Sequence, residues 1–218
     1  MKKRLILLLI TTIFFVHGCN KKQKDNPTIN NVKNLKLNPG KLNIDTQKSN
    51  IVWTGKKIST KEHQGTLDFK KGHIGIYDDG RIEGEMIIDM LTINTTDIQG
   101  RGKESLDGHL KSSDFFDVEN HPDAVIKFQG NEAQFSNNKL NLNGNLTIKN
   151  ITHPISFDAE LQQTDNSITA NAIISFDRSK YNVRYGSGKF FENLGDNLIL
   201  DEISVNVLII ANWYFINW

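Results

Sequence analysis

Apolar side chains recur at every second position along most of this chain. Ile82, Gly84, Met86, Ile88 and Met90 alternate with Glu83, Glu85 and Asp89, and Ala124, Ile126 and Phe128 form a shorter run. Leu140, Leu142, Gly144, Leu146 and Ile148 are followed by Ile155, Phe157, Ala159 and Leu161. Ile168 to Phe176 and Ile203 to Ile209 repeat the pattern. A period of two turns one set of side chains to a core and the other to water, so each run predicts a strand. Asp78-Asp79-Gly80, Ser136-Asn137-Asn138 and Asp165-Asn166-Ser167 supply turns between the runs. Short strands joined in this way predict an antiparallel all-β meander, either a sandwich or a barrel. Only Arg101 to Phe116 breaks the rhythm, and a short helix is expected there. A barrel of about eight strands fills its interior or encloses one small ligand. The Gly and Ala residues at inward positions favour room inside, unless bulky neighbours fill it.

Met1 to Cys19 follows a different logic. Lys2, Lys3 and Arg4 precede an apolar stretch through Val16, shorter than the ~20 residues of a comfortable membrane span. It ends in Val16-His17-Gly18-Cys19, which resembles the lipobox of bacterial lipoproteins, with His17 where a small residue is usual. Residues 1–18 are therefore expected to be a lipoprotein signal peptide and Cys19 the lipidated residue. An ordinary secretory peptide, or a single anchor helix with an incidental cysteine, is the alternative. Residues 19–40 are rich in Asn and Lys without a period and predict a flexible tether. The domain proper is expected over 41–211, with 212–218 as a C-terminal tail.

Composition narrows the function classes. Hydrophobic residues make up 38% and charged residues 23%, too apolar for disorder and too polar for a bundle of membrane helices. A net charge of +1 gives no electrostatic case for nucleic-acid binding. The single cysteine excludes an internal disulfide framework and a Cys-based zinc site. His63, His73, His109, His121 and His153 lack metal-binding spacing, so no metal is expected. His121-Pro122 and His153-Pro154 read as turns. No serine occupies a G-x-S-x-G turn, and Gly186-Ser187-Gly188-Lys189 lacks the spacing of a phosphate loop.

Several stretches in succession resemble the YceI-like family: Ile51 to Lys57, His63-Gln64-Gly65-Thr66-Leu67, Ile88 to Asp97 and Leu106 to Val118. His121-Pro122, Phe128, Gly144 to Lys149, Asp177 to Tyr181, Tyr185-Gly186-Ser187, Phe190-Phe191 and Leu194-Gly195-Asp196 continue the series. Asn150-Ile151-Thr152 stands where that family often has a Gly-bearing turn, and Tyr181-Asn182-Val183 where Gly follows an aromatic. The resemblance implies a lipocalin-like antiparallel barrel holding a long-chain lipid, polyisoprenoid or quinone-like, in an exported bacterial protein not established as an enzyme. No cofactor is implied beyond that ligand. The expected partners are the lipid and, through Cys19, a membrane, with a homodimer left open. The expected location is the cell envelope, at the outer membrane facing the periplasm.

Trp53, Phe69, Phe115, Phe116, Phe128, Tyr181, Tyr185, Phe190 and Phe191 are candidates to line a tunnel, or else to fill a core. The pairs Phe115-Phe116 and Phe190-Phe191 suit loop or helix packing at a barrel mouth better than a strand. There Arg178, Lys180 and Arg184, with His63 and Tyr185, could meet a polar head group. Alternatively Arg178 forms a structural ion pair with Asp177, Asp196 or Asp201. Two other classes stay open: an integral outer-membrane barrel, which the aromatic terminus Trp213 to Trp218 would suit, and an enzyme acting on a lipid-like substrate.

Overall fold

The alternating runs become strands of one antiparallel sheet. In chain order they are β1 (Gly40–Ile44), β2 (Asn50–Lys56), β3 (Glu62–Ile76), β4 (Arg81–Thr95), β5 (Asp123–Asn131), β6 (Phe135–Ser136), β7 (Lys139–Ile148), β8 (Ile151–Gln163), β9 (Ser167–Asp177) and β10 (Glu202–Trp213). The one α-helix among the described residues, α1, spans Gly100–Lys111, starting one residue before the segment expected to break the rhythm and ending within it. The computed structural model describes residues 36–59, 62–137 and 139–214. The proposed signal peptide and Cys19 lie outside the described residues.

Neighbouring strands pair in the order β2-β3-β4-β5-β7-β8-β9-β10, and β10 returns to pair with β2. The sheet thus closes on itself as an eight-stranded barrel. β1 and β2 share one place in the wall, each pairing with both β10 and β3: β1 beside Ala211 to Trp213 and β2 beside Ser204 to Leu208. Closure leaves no long sheet edge unpaired.

Tight turns set the register. Lys149 and Asn150 both have positive φ, 50° and 59°, and join β7 directly to β8 where Ile148 faces Ile151. Two consecutive positive φ values are those of a primed hairpin turn, which asparagine tolerates. This Lys-Asn pair performs the task of a glycine-bearing turn. Asn182, at φ 58°, likewise takes the left-handed conformation that glycine would supply.

Two sequence expectations change. His153-Pro154 is no turn: both residues lie within β8, opposite Leu146 and Asn145. The domain also begins before residue 41. Leu37 is 3% exposed, and its backbone N–H donates to Glu132 Oε2 at 3.1 Å. Asn38 N–H donates to Gln163 Oε1 at 2.9 Å, so residues 36–39 cross one end of the barrel with Leu37 inserted. At the other terminus Asn212 and Trp213, expected in a tail, are paired with Asn43 and Leu42 of β1. Residues 215–218 lie outside the described residues.

Candidate functional site

The inward faces of the strands do not meet in a solid core. They enclose a cavity of about 390 Å³, within the ~300–1,000 Å³ usual for small-molecule sites. Its wall is the alternation itself: Ile168, Ala170, Ala172, Ile174 and Phe176 from β9, Ile203 to Ile209 from β10, and their counterparts on the other strands. Outward positions carry polar ladders, such as Glu85 with Lys127 at 2.8 Å and Asn141 with Asp158 at 2.9 Å.

Glycines decide where the interior is filled. Phe128 lies between Gly84 and Gly144 in adjacent strands, and a Cβ on Gly84 would come within 2.4 Å of the Phe128 ring. There the room is taken up by the phenyl group. Opposed Ala159 and Ala172, with Ala170 beside them, carry no such ring and face the cavity.

The two ends of the cavity differ chemically. One end is closed by Leu37 among Ile76, Ile82, Leu140, Leu161 and Ile168, all apolar. Every polar lining group lies toward the other end: Trp53, Lys56, Lys57, His63, His109 and Tyr185. Among the described residues the lining contains no Ser, Thr, Cys, Asp or Glu.

Helix α1 roofs this second end. Leu106, His109 and Leu110 stand at i, i+3 and i+4 and so share one helical face, and all three line the cavity. Asp107 anchors the helix to β4 by accepting the Thr95 N–H at 2.8 Å. Lys103 bridges Asp107 and Asn94, bonding the latter at 2.7 Å. Burial alone would raise the Asp107 pKa, but hydrogen bonds from Lys103 and Thr95 hold it below its ordinary value. After the helix, Phe116 N–H returns to Leu110 O, which drops Phe115 and Phe116 against the opening. His109 meets Tyr185 edge-on with centroids 4.3 Å apart and Phe115 at 5.2 Å, tying the helix to residues 178–201.

Arg178 organises that segment. It is fully buried, with Nη1 donating to Val183 O at 3.2 Å, Nη2 to Ile199 O at 3.2 Å and Nε to Leu200 O at 3.3 Å. Its Nη2 pairs with Asp201 Oδ1 at 3.3 Å, and its guanidinium lies 5.3 Å from the Phe115 ring centroid. Burial lowers its pKa, opposed by Asp201 and Asp177.

Of the candidate ligand residues, Trp53, His63, Phe69, Phe115, Phe116, Phe128 and Tyr185 line the cavity. Four do not. Arg178 is consumed by the structural contacts just given, the ion pair with Asp201 among them. Tyr181, 2% exposed, packs edge-on against Phe176 and His153 outside the lining. Phe190 and Phe191 are 41% and 49% exposed, with Arg184 stacked on Phe190 at 5.0 Å. Beyond the sequence candidates, the lining includes Leu37, Lys57, Leu106, His109, Leu110 and Ile199. The helical spacing of 106, 109 and 110 is visible in the letters; the insertion of Leu37 carries no periodic signal.

Polar detail at the mouth centres on His63 and Trp53. His63 Nδ1 is 2.8 Å from Asp97 Oδ2, and the other Asp97 oxygen accepts the Gln64 N–H at 3.1 Å. Burial pushes the Asp97 pKa up, but these hydrogen bonds outweigh it and leave the carboxyl below its ordinary value. Trp53 Nε1 is buried and has no hydrogen-bond partner among the described residues.

Comparison with known proteins places this geometry. The YceI-like domain description matches residues 42–211. A UPF0312 protein of Pectobacterium atrosepticum is 35% identical over 71 residues, covering 33% of this chain and 35% of the relative. Protein YceI of Escherichia coli O157:H7 is 32% identical over 71 residues, covering 33% of this chain and 36% of the relative. The chain thus aligns with about a third of the length of these two relatives. Among solved structures, Burkholderia cenocepacia BcnA superposes with TM-score 0.60 at 20% identity, covering 78% of this chain and 99% of that one. A polyisoprenoid binding domain from Saccharophagus degradans, implicated in plant cell wall breakdown, gives TM-score 0.58 at 14% identity, covering 81% and 100%.

Proposed function

The chain belongs to the YceI-like domain family, and from that premise we propose that its barrel takes up one long-chain lipid of the polyisoprenoid or quinone-like class, for storage, shielding or carriage. The observation that carries this reading is the cavity: apolar throughout its closed end, with polar groups gathered only at the mouth. An amphipathic chain fits with its tail toward Leu37 and its head toward Trp53 and His63. Burial drives such binding, each CH₂ contributing ~0.8 kcal/mol before ordering costs. The polyisoprenoid binding described for the Saccharophagus degradans domain agrees with it.

Binding, not turnover, is the proposed role, because the lining among the described residues offers neither a carboxylate nor a Ser, Thr or Cys nucleophile to a substrate inside. A soluble barrel suits the polar outer ladders, whereas a membrane-spanning barrel needs an apolar band there. We further propose that lipidated Cys19 holds the protein in the bacterial envelope, at the outer membrane facing the periplasm.

The test is direct. The full chain is purified from its host, extracted with organic solvent and analysed by mass spectrometry. One lipid per chain is expected. No stoichiometric lipid, together with no uptake of added prenyl lipids, would refute the reading. Fatty-acid labelling lost in Cys19→Ser supports the anchor, and labelling unchanged in that variant refutes it.

A further inference from the structure

The segment before β1 crosses the whole width of the barrel end. Leu37 N–H is held by Glu132 Oε2 at 3.1 Å and Asn38 N–H by Gln163 Oε1 at 2.9 Å. Glu132 follows β5 and Gln163 ends β8, the strands on either side of β7. The chain then enters β1, where Gly40 pairs with Ile76 of β3 and Leu42 with Trp213 of β10. Between the wall position that β1 shares with β2 and β7 stand β3, β4 and β5 one way, and β10, β9 and β8 the other. The two points are therefore opposite each other, and residues 37–39 bridge them. These residues precede the segment 42–211 that the family description matches.

Of residues 36–39 only Leu37 is buried, and it lines the cavity. Around it Ile76, Ile82, Leu140 and Ile168 are all at most 4% exposed, so a hydrocarbon chain cannot pass between them without displacing Leu37. The clasp that seats the strap is itself fixed. Glu132 N–H donates to Gly80 O at 2.8 Å, and its side chain lies so close over Gly80, at φ 78°, that a Cβ there would come within 2.6 Å of Glu132 Cγ. The cavity is thus blind at this end, and one side chain forms its floor.

The depth above that floor follows from strand geometry. The inward row of β9 runs from Ala170 to Phe176, six residues further on, toward the mouth. At ~3.3 Å per residue and a tilt of ~40°, this row spans about 15 Å of depth. An isoprene unit adds four backbone carbons and advances about 5 Å when extended, from ~1.5 Å bonds and ~111° angles. Three units fill the row, and Leu110, Phe115, Phe116 and Ile199 at the mouth cover a fourth.

We propose, on the carrier reading, that Leu37 determines tail-length specificity: it is the stop against which the far end of a prenyl chain rests, and about four isoprene units are taken in fully. Further units stay outside the mouth and add little affinity.

The experiment measures Kd of the full chain for farnesol, geranylgeraniol, geranylfarnesol and hexaprenol, which carry three to six units. One buried carbon accounts for about a fourfold change in Kd before ordering costs. Wild-type affinity should rise at least about tenfold from three units to four, and change less than about twofold with each unit after that. Leu37→Val removes one carbon from the floor and Leu37→Ala three, and the space is only partly refilled by relaxation. Five units should then bind about threefold tighter than four in Leu37→Val and about tenfold tighter in Leu37→Ala, with farnesol binding unchanged as the sign of an intact barrel. Should Leu37→Ala not fold, Leu37→Val alone decides. Five and four units bound alike in every folded variant would take the stop away from Leu37. Wild-type affinity that climbs tenfold with each unit up to six would mean that no floor exists, while the carrier reading stood. Binding of none of the four alcohols would remove the carrier reading itself, and this assignment with it.

Discussion

The indole of Trp53 occupies the space that a side chain on Gly65 would need. The two residues face each other across β2 and β3, and a Cβ on Gly65 would lie 2.5 Å from Trp53 Cζ2 and 2.2 Å from Asn94 O. The second contact is with backbone and has no rotamer by which to escape. Gly65→Ala is therefore expected to destabilise the protein by about 1–3 kcal/mol, as overpacking does. Urea denaturation checks this, and an unchanged midpoint would show that the indole is not seated over Gly65.

Arg178 supports a second prediction. Removing it leaves three carbonyls without their donor and the largely buried Asp201 without its guanidinium partner. Removing one partner of a buried ion pair costs about 3–5 kcal/mol. Arg178→Ala should lose stability in that range, measured by the same denaturation. Arg178→Lys should recover only part of the loss, because an ammonium cannot reproduce the planar fork that reaches Val183, Ile199 and Leu200 together. Full recovery by lysine would show that charge alone, and not the fork, holds the segment.

The barrel is legible in the sequence because both of its faces are written in the alternation. Ile168 to Phe176 and Ile203 to Ile209 read as inward rows, and they are inward rows. The aromatic candidates divide according to the path the chain takes around each pair. Phe115 and Phe116 reach the cavity because α1 turns the chain back over the mouth, a path fixed by contacts of the helix and Phe115 with Thr95 and Tyr185, apart in sequence. Phe190 and Phe191 are a similar pair of letters, but their local turns, closed by bonds to Ser187 O, leave them on the surface. Arg178 reads either as a head-group donor or as a structural ion pair; the ion pair with Asp201 is present, while a single sequence does not show that three carbonyls also converge on it. Leu37 is hidden for a related reason: Leu35 and Leu37 are a single pair in an Asn- and Lys-rich stretch, too short a run to betray burial.

Acid should weaken the protein through Asp177. Burial raises its pKa, but Lys189, the Ser179 hydroxyl at 2.5 Å and the Ser179 N–H at 2.9 Å hold the carboxyl below its ordinary 3.8. A carboxylate with a depressed native pKa contributes stability that is fully present above its unfolded pKa. That contribution is lost as pH falls from about 3.8 through the lowered native value. Unfolding free energy measured from pH 6 downward should decline in this window, with a shallower decline in Asp177→Asn. Identical slopes for the two proteins would assign the acid sensitivity elsewhere.

The small residues on one wall offer a way to separate cavity from scaffold. Ala159 and Ala172 face each other across β8 and β9, Ala172 pairs on its other side with Val207, and Ala170 lies two positions away on the same face. All line the cavity, so a larger side chain at 172 grows into open volume and not into packed atoms. Ala172→Phe should therefore leave the thermal midpoint unchanged or raised, since cavity filling at an unstrained site adds contacts. The phenyl ring would stand in the path of the hydrocarbon tail and exclude it, weakening prenyl-lipid uptake by at least about tenfold, equivalent to ~1.4 kcal/mol. Full uptake by a folded Ala172→Phe protein would mean that the tail does not run along this wall, and the lipid would have to be sought outside the barrel.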